Sequence, residues 1–223
     1  MDGTNSSAPR GPRRLRRDAE ANRQRTLQAA REVFADRGLG VNLDDIARHA
    51  GVGVATSYRL FGNKQALINE LFEERVDALA VVAEQAQTHD DPWEGFVGLV
   101  TTLLEMMAAD RGLREVVFSE VGGRPLVAQA RRRLMPAIDA VMHRAQDAGR
   151  LRPDLALTDL PLVFYMLSSV IQHTQPVSSA VWRRCLTIVL DGLHVGPRLT
   201  DMPVAALTNA EEEQVAGVNP TSS

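Results

Sequence analysis

The sequence has little of several features that define other classes of protein. Cys185 is the single cysteine in 223 residues, so no disulfide can form within the chain, and we expect a cytoplasmic location. Aromatic residues make up only 4%, and no apolar run approaches the roughly 18 residues of a membrane span. No apolar segment follows the basic N-terminus, so no signal peptide is predicted. With 44% hydrophobic and 24% charged residues, the composition is that of an ordinary globular protein, and it excludes collagen-like and wholly disordered chains.

Charge is divided unevenly along the chain. Residues 1–64 carry 12 Lys/Arg against 7 Asp/Glu, whereas residues 65–223 carry 13 against 21. Seven of the arginines lie within residues 10–25. This asymmetry suggests a basic part that meets a polyanion such as nucleic acid, although a solvated basic tail would explain the same charges.

Apolar residues recur at helical spacing and no segment alternates as a strand does, so the predicted fold class is all-α. We expect a disordered basic tail over residues 1–17 and a three-helix DNA-binding domain with a helix-turn-helix over 18–64. A C-terminal helical bundle over 65–198 follows, beginning with a connecting helix at 65–85. Residues 199–223 are polar and are expected to form a flexible tail.

Short polar signals mark the helix ends. Gly38 can adopt the left-handed conformation that ends a helix, and Asn42 and Asn63 can cap the helices that follow them. Asp91-Pro92 is typical of another helix start, because proline suits the first turn. Pro136 lies inside an apolar helical pattern and is expected to kink that helix.

Residues 43–60 have the form of two short helices joined by the turn Gly51-Val52-Gly53. In a helix-turn-helix, the second helix enters the major groove and its N-terminal residues meet base edges. Val54, Ala55 and Thr56 are small enough for close approach, and they offer apolar contacts to thymine methyls and one hydroxyl. Tyr58, Arg59 and Lys64 are predicted to contact the sugar-phosphate backbone.

The run from Leu43 to Val52, followed by Thr56, Tyr58, Phe61, Lys64, Ala66 and Leu67, resembles the TetR family of bacterial transcriptional regulators. The resemblance covers roughly residues 20–75. It implies a homodimer in which each subunit has one DNA-binding domain and a helical body that binds a small molecule. The predicted DNA-binding residues are Asp44, Gly53, Val54, Ala55, Thr56, Tyr58, Arg59 and Lys64.

Three residues depart from the family pattern. Gly53 stands where the family usually has serine, and it caps the recognition helix more weakly. Ser57 replaces an apolar residue and is expected to loosen the core of this domain. Leu60 replaces a histidine, so one DNA contact is missing, which Arg59 or the arginine-rich tail could supply. A helical protein that binds small molecules and reads DNA weakly or not at all is therefore an alternative.

The predicted effector pocket lies between helices of the body, because such pockets are mostly apolar with a few polar groups. His143 and His173 were predicted as polar anchors within apolar helices. The last two long helices, 160–171 and 181–193, are expected to pair with those of a second copy. The candidate pocket residues are Trp93, Phe96, Met106, Met107, Phe118, Asp139, Met142, His143, Phe164, Met166 and His173.

No arrangement of residues in the sequence is typical of an enzyme. The five histidines do not combine with Cys185 or with one another at metal-ligand spacing, and no nucleophile motif surrounds a serine. We therefore expect no catalysis, metal or cofactor, and this absence counts against a helical enzyme, which is the second alternative. The expected partners are a near-palindromic double-stranded DNA operator, a second copy of the chain and an unidentified small-molecule effector, with no membrane.

Overall fold

The structure, a computed structural model, describes residues 12–118, 124–197 and 199–215. These ranges contain ten helices and no strand beyond one isolated bridge between Leu151 and His194, which agrees with the all-α prediction. None of the helices in these ranges is long and apolar enough to cross a membrane. The helices are α1 (Pro12–Arg37), α2 (Leu43–His49), α3 (Val54–Phe61), α4 (Lys64–Gln87), α5 (Pro92–Ala109), α6 (Arg111–Phe118), α7 (Arg124–Asp147), α8 (Asp159–Thr174), α9 (Trp182–Leu193) and α10 (Asn209–Val215).

The chain divides into two compact units, and the boundary falls between Leu71 and Phe72, inside α4. The predicted boundary at residue 64 is therefore seven residues early. The first turns of α4 belong to the first unit because Leu67 and Ile68 are buried. Glu70 also accepts a hydrogen bond from Arg23 of α1 at 2.7 Å.

The predicted helix ends are present in the first unit. Gly38 has φ of +72°, and its N–H donates to the Phe34 carbonyl at 2.9 Å, ending α1. The Asn42 side chain accepts a hydrogen bond from the Asp45 N–H at 2.8 Å, and Asn63 caps α4 in the same way. Local hydrogen bonds thus set the start of α2 and α4, and the buried faces of α1, α2 and α3 form one small core.

The second unit is a helical bundle whose core is built mainly from α5, α7, α8 and α9. Asp91 accepts hydrogen bonds from the N–H groups of Trp93 and Glu94, and Pro92 occupies the first turn of α5, as predicted. Phe96, Leu104, Met142 and Trp182 are among its most deeply buried side chains. Pro136 lies inside α7.

Two predicted tails differ from the structure. Helix α1 begins at Pro12 rather than at residue 18, since proline suits a first turn and arginine and leucine are good helix formers. Residues 1–11 of the predicted basic tail lie outside the described residues. In the predicted flexible tail, residues 209–215 form α10, because Thr208 and Glu211 bond each other's N–H groups as a capping box.

Candidate functional site

The turn between α2 and α3 holds the recognition helix in place. Gly51 has φ of +63°, which favours glycine, and Val52 is buried and donates its N–H to the Ala47 carbonyl at 3.0 Å. The Gly53 carbonyl accepts hydrogen bonds from the N–H groups of Thr56 and Ser57 at 2.8 and 3.1 Å. No side chain caps α3 at Gly53, so its first N–H groups remain available to an anion.

One face of α3 is exposed and the other is buried. Ala55, Tyr58 and Arg59 are exposed, whereas Ser57 and Phe61 are buried against the rest of the first unit. Val54 and Thr56 are half-buried. The exposed face therefore presents the residue types predicted to meet base edges and phosphates.

Asp44 of α2 lies beside Tyr58 rather than acting alone. A hydrogen bond with the Asp44 carboxylate, together with its negative charge, raises the pKa of the Tyr58 hydroxyl. In this arrangement the hydroxyl donates its single proton to Asp44, so it has to leave Asp44 before it can donate to a phosphate. Oxygen Oδ1 of Asp44 is buried and has no hydrogen-bond partner among the described residues.

Lys64 has a structural contact in the free chain. Its ammonium group is half-buried and donates to the Leu39 carbonyl at 2.8 Å, which joins the start of α4 to the loop after α1. Arg23 was not among the predicted site residues, yet its guanidinium lies 5.3 Å from the Phe61 ring centroid and pairs with Glu70. Both cations help to hold α3 and α4 in the first unit.

Two of the departures from the family pattern have a visible outcome. Ser57 is fully buried, and its hydroxyl has no hydrogen-bond partner within the ranges that the structure describes. Leu60 is half-buried, so it offers neither a donor nor a fully exposed surface to DNA. An unpaired buried hydroxyl costs about 1–3 kcal/mol, consistent with the expected loosening of this core.

The second unit contains an almost wholly apolar cavity of about 150 Å³. Side chains from α4, α5, α6, α7, α8 and α10 line it, and the aromatic rings of Phe118 and Tyr165 pack together at its wall with centroids 4.5 Å apart. Four predicted pocket residues line this cavity: Met106, Met107, Phe118 and Phe164.

The other predicted pocket residues do not line this cavity. Phe96 and Met142 are buried in the core, and the Trp93 ring packs edge-on against His194 at 4.7 Å. Asp139 is half-buried and Met166 is 57% exposed. The His143 and His173 rings are exposed, and each bonds the carbonyl four residues earlier in its own helix.

The polar groups at the cavity come from residues that the sequence analysis missed. Arg131 of α7 donates two hydrogen bonds to the carboxylate of Glu212, one from Nη1 to Oε1 at 2.6 Å and one from Nη2 to Oε2. Burial lowers the pKa of the Arg131 guanidinium, although arginine stays charged in proteins. The capping box is the local sequence signal for α10. The residue that binds Glu212, Arg131 of α7, is 81 residues away along the chain.

The outer faces of α8 and α9 retain apolar surface. Met166 is 57% and Ile188 is 69% exposed, whereas Leu160, Leu167, Ile171, Leu186 and Leu193 are buried within the subunit. The latter five belong to the two segments, 160–171 and 181–193, that are expected to pair with a second copy. Their burial shows that they form the core of the second unit instead.

The described residues contain no group of three or more side chains that could hold a metal ion. Two family models match the sequence. Residues 27–71 match the model described as bacterial regulatory proteins, tetR family, and residues 91–195 match the SbtR-like transcriptional regulator C-terminal domain. The first match covers the helix-turn-helix and the second covers most of the cavity unit.

Solved structures of TetR regulators are also similar to this chain. A TetR transcription regulatory protein from Mycobacterium vanbaalenii is 31% identical and has a TM-score of 0.57, over 81% of this chain and 99% of that one. A TetR transcriptional regulator from Streptomyces coelicolor is 28% identical, with a TM-score of 0.55 over 77% and 98%.

Among curated proteins, an HTH-type transcriptional regulator of Staphylococcus aureus is 31% identical over 84 residues, which span 36% of this chain and 44% of that regulator. These matched proteins are all described as transcriptional regulators. The helix-turn-helix, the helical second unit and these matches together show that the chain belongs to the TetR family of bacterial transcriptional regulators.

Proposed function

We propose that the chain is a ligand-responsive repressor that binds a near-palindromic operator as a homodimer in the cytoplasm. The observation that carries this proposal is the exposed face of α3, where Ala55, Tyr58 and Arg59 project from a compact helical unit. A short exposed helix after a glycine turn fits the major groove, which is about 12 Å wide. Family membership supports the same role.

Within this interface, we assign base reading to the N-terminal part of α3 and backbone contacts to its later residues. Val54, Ala55 and Thr56 would meet base edges, and the Tyr58 hydroxyl would turn from Asp44 to donate to a phosphate. Within the chain, a Cβ at Gly53 would make only an ordinary contact, 3.7 Å from Thr56 Oγ1, so the fold itself does not require glycine there. The missing side chain would instead let the start of α3 approach DNA closely. To contact DNA, the Lys64 ammonium group would have to break its hydrogen bond to the Leu39 carbonyl and bind a phosphate instead.

We infer that two copies pair through the outer faces of α8 and α9. Met166 and Ile188 are exposed there, and a twofold dimer would present two α3 helices to one DNA site. Its half-sites would be one helical turn apart, about 34–36 Å, or a multiple of that distance. Burial of this apolar surface provides the driving force for pairing.

The cavity in the second unit is the proposed effector site. In this proposal, one conformation of the chain fits DNA and another does not. A ligand can lower DNA affinity only if it binds the second conformation more tightly than the first. Met106, Met107, Phe118 and Phe164 would contact its apolar part. Helix α4, which runs from Lys64 into the second unit, is the proposed mechanical link.

Selection of bound sequences from a random DNA pool tests DNA reading and symmetry together. The selected sites should contain two inverted half-sites, and a gel shift should show a complex that resists competitor DNA. Failure to enrich any sequence would favour the alternative, a protein that binds small molecules without specific DNA reading.

Variants of α3 then test the roles of individual residues. Tyr58→Phe removes one hydroxyl and should weaken all DNA sequences alike by about threefold to tenfold, since one hydrogen bond contributes about 0.5–1.5 kcal/mol. Ala55→Ser should instead change which bases are selected. Gln28→Ala, an exposed polar position on α1, serves as the control. Equal effects of the Tyr58 and Ala55 variants on base preference would contradict the assignment.

A further inference from the structure

The apolar cavity and a more polar groove meet at the buried ion pair between Arg131 and Glu212. The cavity has a volume of about 150 Å³ and the groove about 270 Å³, and both residues line both of them. Small-molecule pockets usually measure about 300–1,000 Å³, so the apolar cavity alone is small for an effector. If the Glu212 side chain moved away, the cavity and the groove would join, and their combined volume would reach that range.

Glu212 is the one buried residue of α10. It is 2% exposed, whereas Val215 is 56% exposed and the other apolar residue of the helix, Ala210, is also exposed. A carboxylate is rarely buried unless it is paired, and here the Arg131 guanidinium binds it through two hydrogen bonds. Since α10 buries no apolar side chain, its attachment depends mainly on this charged pair.

A third polar group faces the groove without a partner. The Thr158 hydroxyl lines it, is buried, and makes no hydrogen bond to any residue in the described ranges. Buried hydroxyls are normally paired, so an unpaired one beside Arg131 is a donor available to an incoming polar group. Arg131 and Thr158 thus lie at the polar groove, next to a cavity lined by methionine, leucine and phenylalanine.

We propose that the effector is a small amphipathic carboxylate, and that Glu212 occupies its carboxylate site in the free protein. The effector's carboxylate would replace that of Glu212 on Arg131 and accept a hydrogen bond from Thr158, while its apolar chain enters the cavity. One charged pair is exchanged for another, so no charge is left buried alone. Release of Glu212 frees α10 and joins the two volumes.

This inference rests on the proposed function, because it names the chemical class of the effector. Its test uses the full-length protein without DNA and measures binding of octanoate and of uncharged 1-octanol by calorimetry. Glu212→Gln removes the competing charge with little change in shape. Glu84→Gln is the control, since it removes one negative charge from an exposed position of the second unit that lines neither the cavity nor the groove.

We expect Glu212→Gln to bind octanoate about tenfold or more tightly than the unaltered protein, because no carboxylate of the chain then competes for the Arg131 guanidinium. Glu84→Gln should change octanoate affinity by less than about threefold, and 1-octanol should respond little to either variant. Thr158→Val should weaken octanoate alone. Hydrogen exchange over residues 209–215 should speed up when octanoate, but not 1-octanol, is added.

Three results would overturn the proposal. These are unchanged octanoate affinity in Glu212→Gln, an equal gain for 1-octanol, or no octanoate binding by either protein. Circular dichroism checks that each variant is folded, and hydrogen exchange on the unaltered protein gives a readout that needs no variant. If the protein selects operator DNA but does not bind octanoate, the proposed function stands and this inference fails. If it binds octanoate but selects no DNA, this inference about the pocket stands and the proposed function fails.

Discussion

Gly95 of α5 lies against the end of α4 and allows a sharp stability prediction. A Cβ at this position would lie 2.7 Å from the Ala86 carbonyl oxygen and 3.1 Å from His89 Cβ. Ordinary contacts begin near 3.4 Å, so Gly95→Ala would force backbone to move. That movement is resisted because the Ala86 oxygen also accepts hydrogen bonds from the His89 N–H and from Arg144.

The magnitude follows from two opposing effects. Overpacking costs about 1–3 kcal/mol, while replacing glycine by alanine in a helix gains up to about 1 kcal/mol. Because the clash is with a backbone oxygen at 2.7 Å, the upper part of the overpacking range applies, about 2–3 kcal/mol. After the helix gain is subtracted, we expect Gly95→Ala to lower the free energy of unfolding by about 1–2 kcal/mol. Gly98, on the same helix, is exposed and has nothing within 4 Å of an added Cβ, so Gly98→Ala should raise it by about 0.5–1 kcal/mol.

The assay is urea unfolding followed by circular dichroism, at one fixed protein concentration because pairing of copies would affect stability. In thermal melts, each 1 kcal/mol should correspond to about 2–4 °C for a chain of this size. A Gly95→Ala protein as stable as the unaltered one would refute the reasoning, as would an equal loss in Gly98→Ala.

Three further predictions concern the caps, the core and the proposed dimer. Ser57→Ala removes an unpaired buried hydroxyl and should raise the free energy of unfolding by about 1 kcal/mol in urea titrations, and a loss of stability would show that the hydroxyl is paired. Hydrogen bonds from the Glu94 and Trp93 N–H groups lower the pKa of Asp91, so its ionised form stabilises the fold above its ordinary pKa and this contribution is lost as the pH falls through the lowered value. The stability difference between the unaltered protein and Asp91→Asn should therefore shrink in melts below about pH 4, and a constant difference would contradict that cause. Ile188→Glu should convert a dimer into monomers in light scattering with circular dichroism unchanged, because this side chain is 69% exposed in the single chain, and a persisting dimer would place the interface elsewhere.

Much of the first unit could be predicted from the sequence because its signals are local. Asn42 and Asn63 cap helices through atoms three residues away, and Gly38 ends α1 within its own turn. The turn Gly51-Val52-Gly53 likewise fixes the junction of α2 and α3. Such hydrogen bonds form between neighbours in the chain, so the order of residues is sufficient to identify them.

The candidate pocket was only partly predictable, since helical spacing shows that a residue is on an apolar face but not what that face meets. Met107 lines the cavity, Met142 is core and Met166 is exposed, although all three occur in similar patterns. His143 and His173 were expected inside and are exposed, because each is on the outer side of its own helix. The way in which the helices cross and pack decides whether a side chain lines the cavity, lies in the core or is exposed.

By itself, then, the order of amino acids determined where most helices begin and end, the helix-turn-helix and the absence of any recognisable catalytic motif. The tertiary structure alone decided which apolar side chains surround a cavity and that Glu212 reaches Arg131 across 81 positions. The physical reason is range. Caps and turns depend on atoms a few residues apart, whereas a cavity and a buried ion pair depend on how distant helices pack.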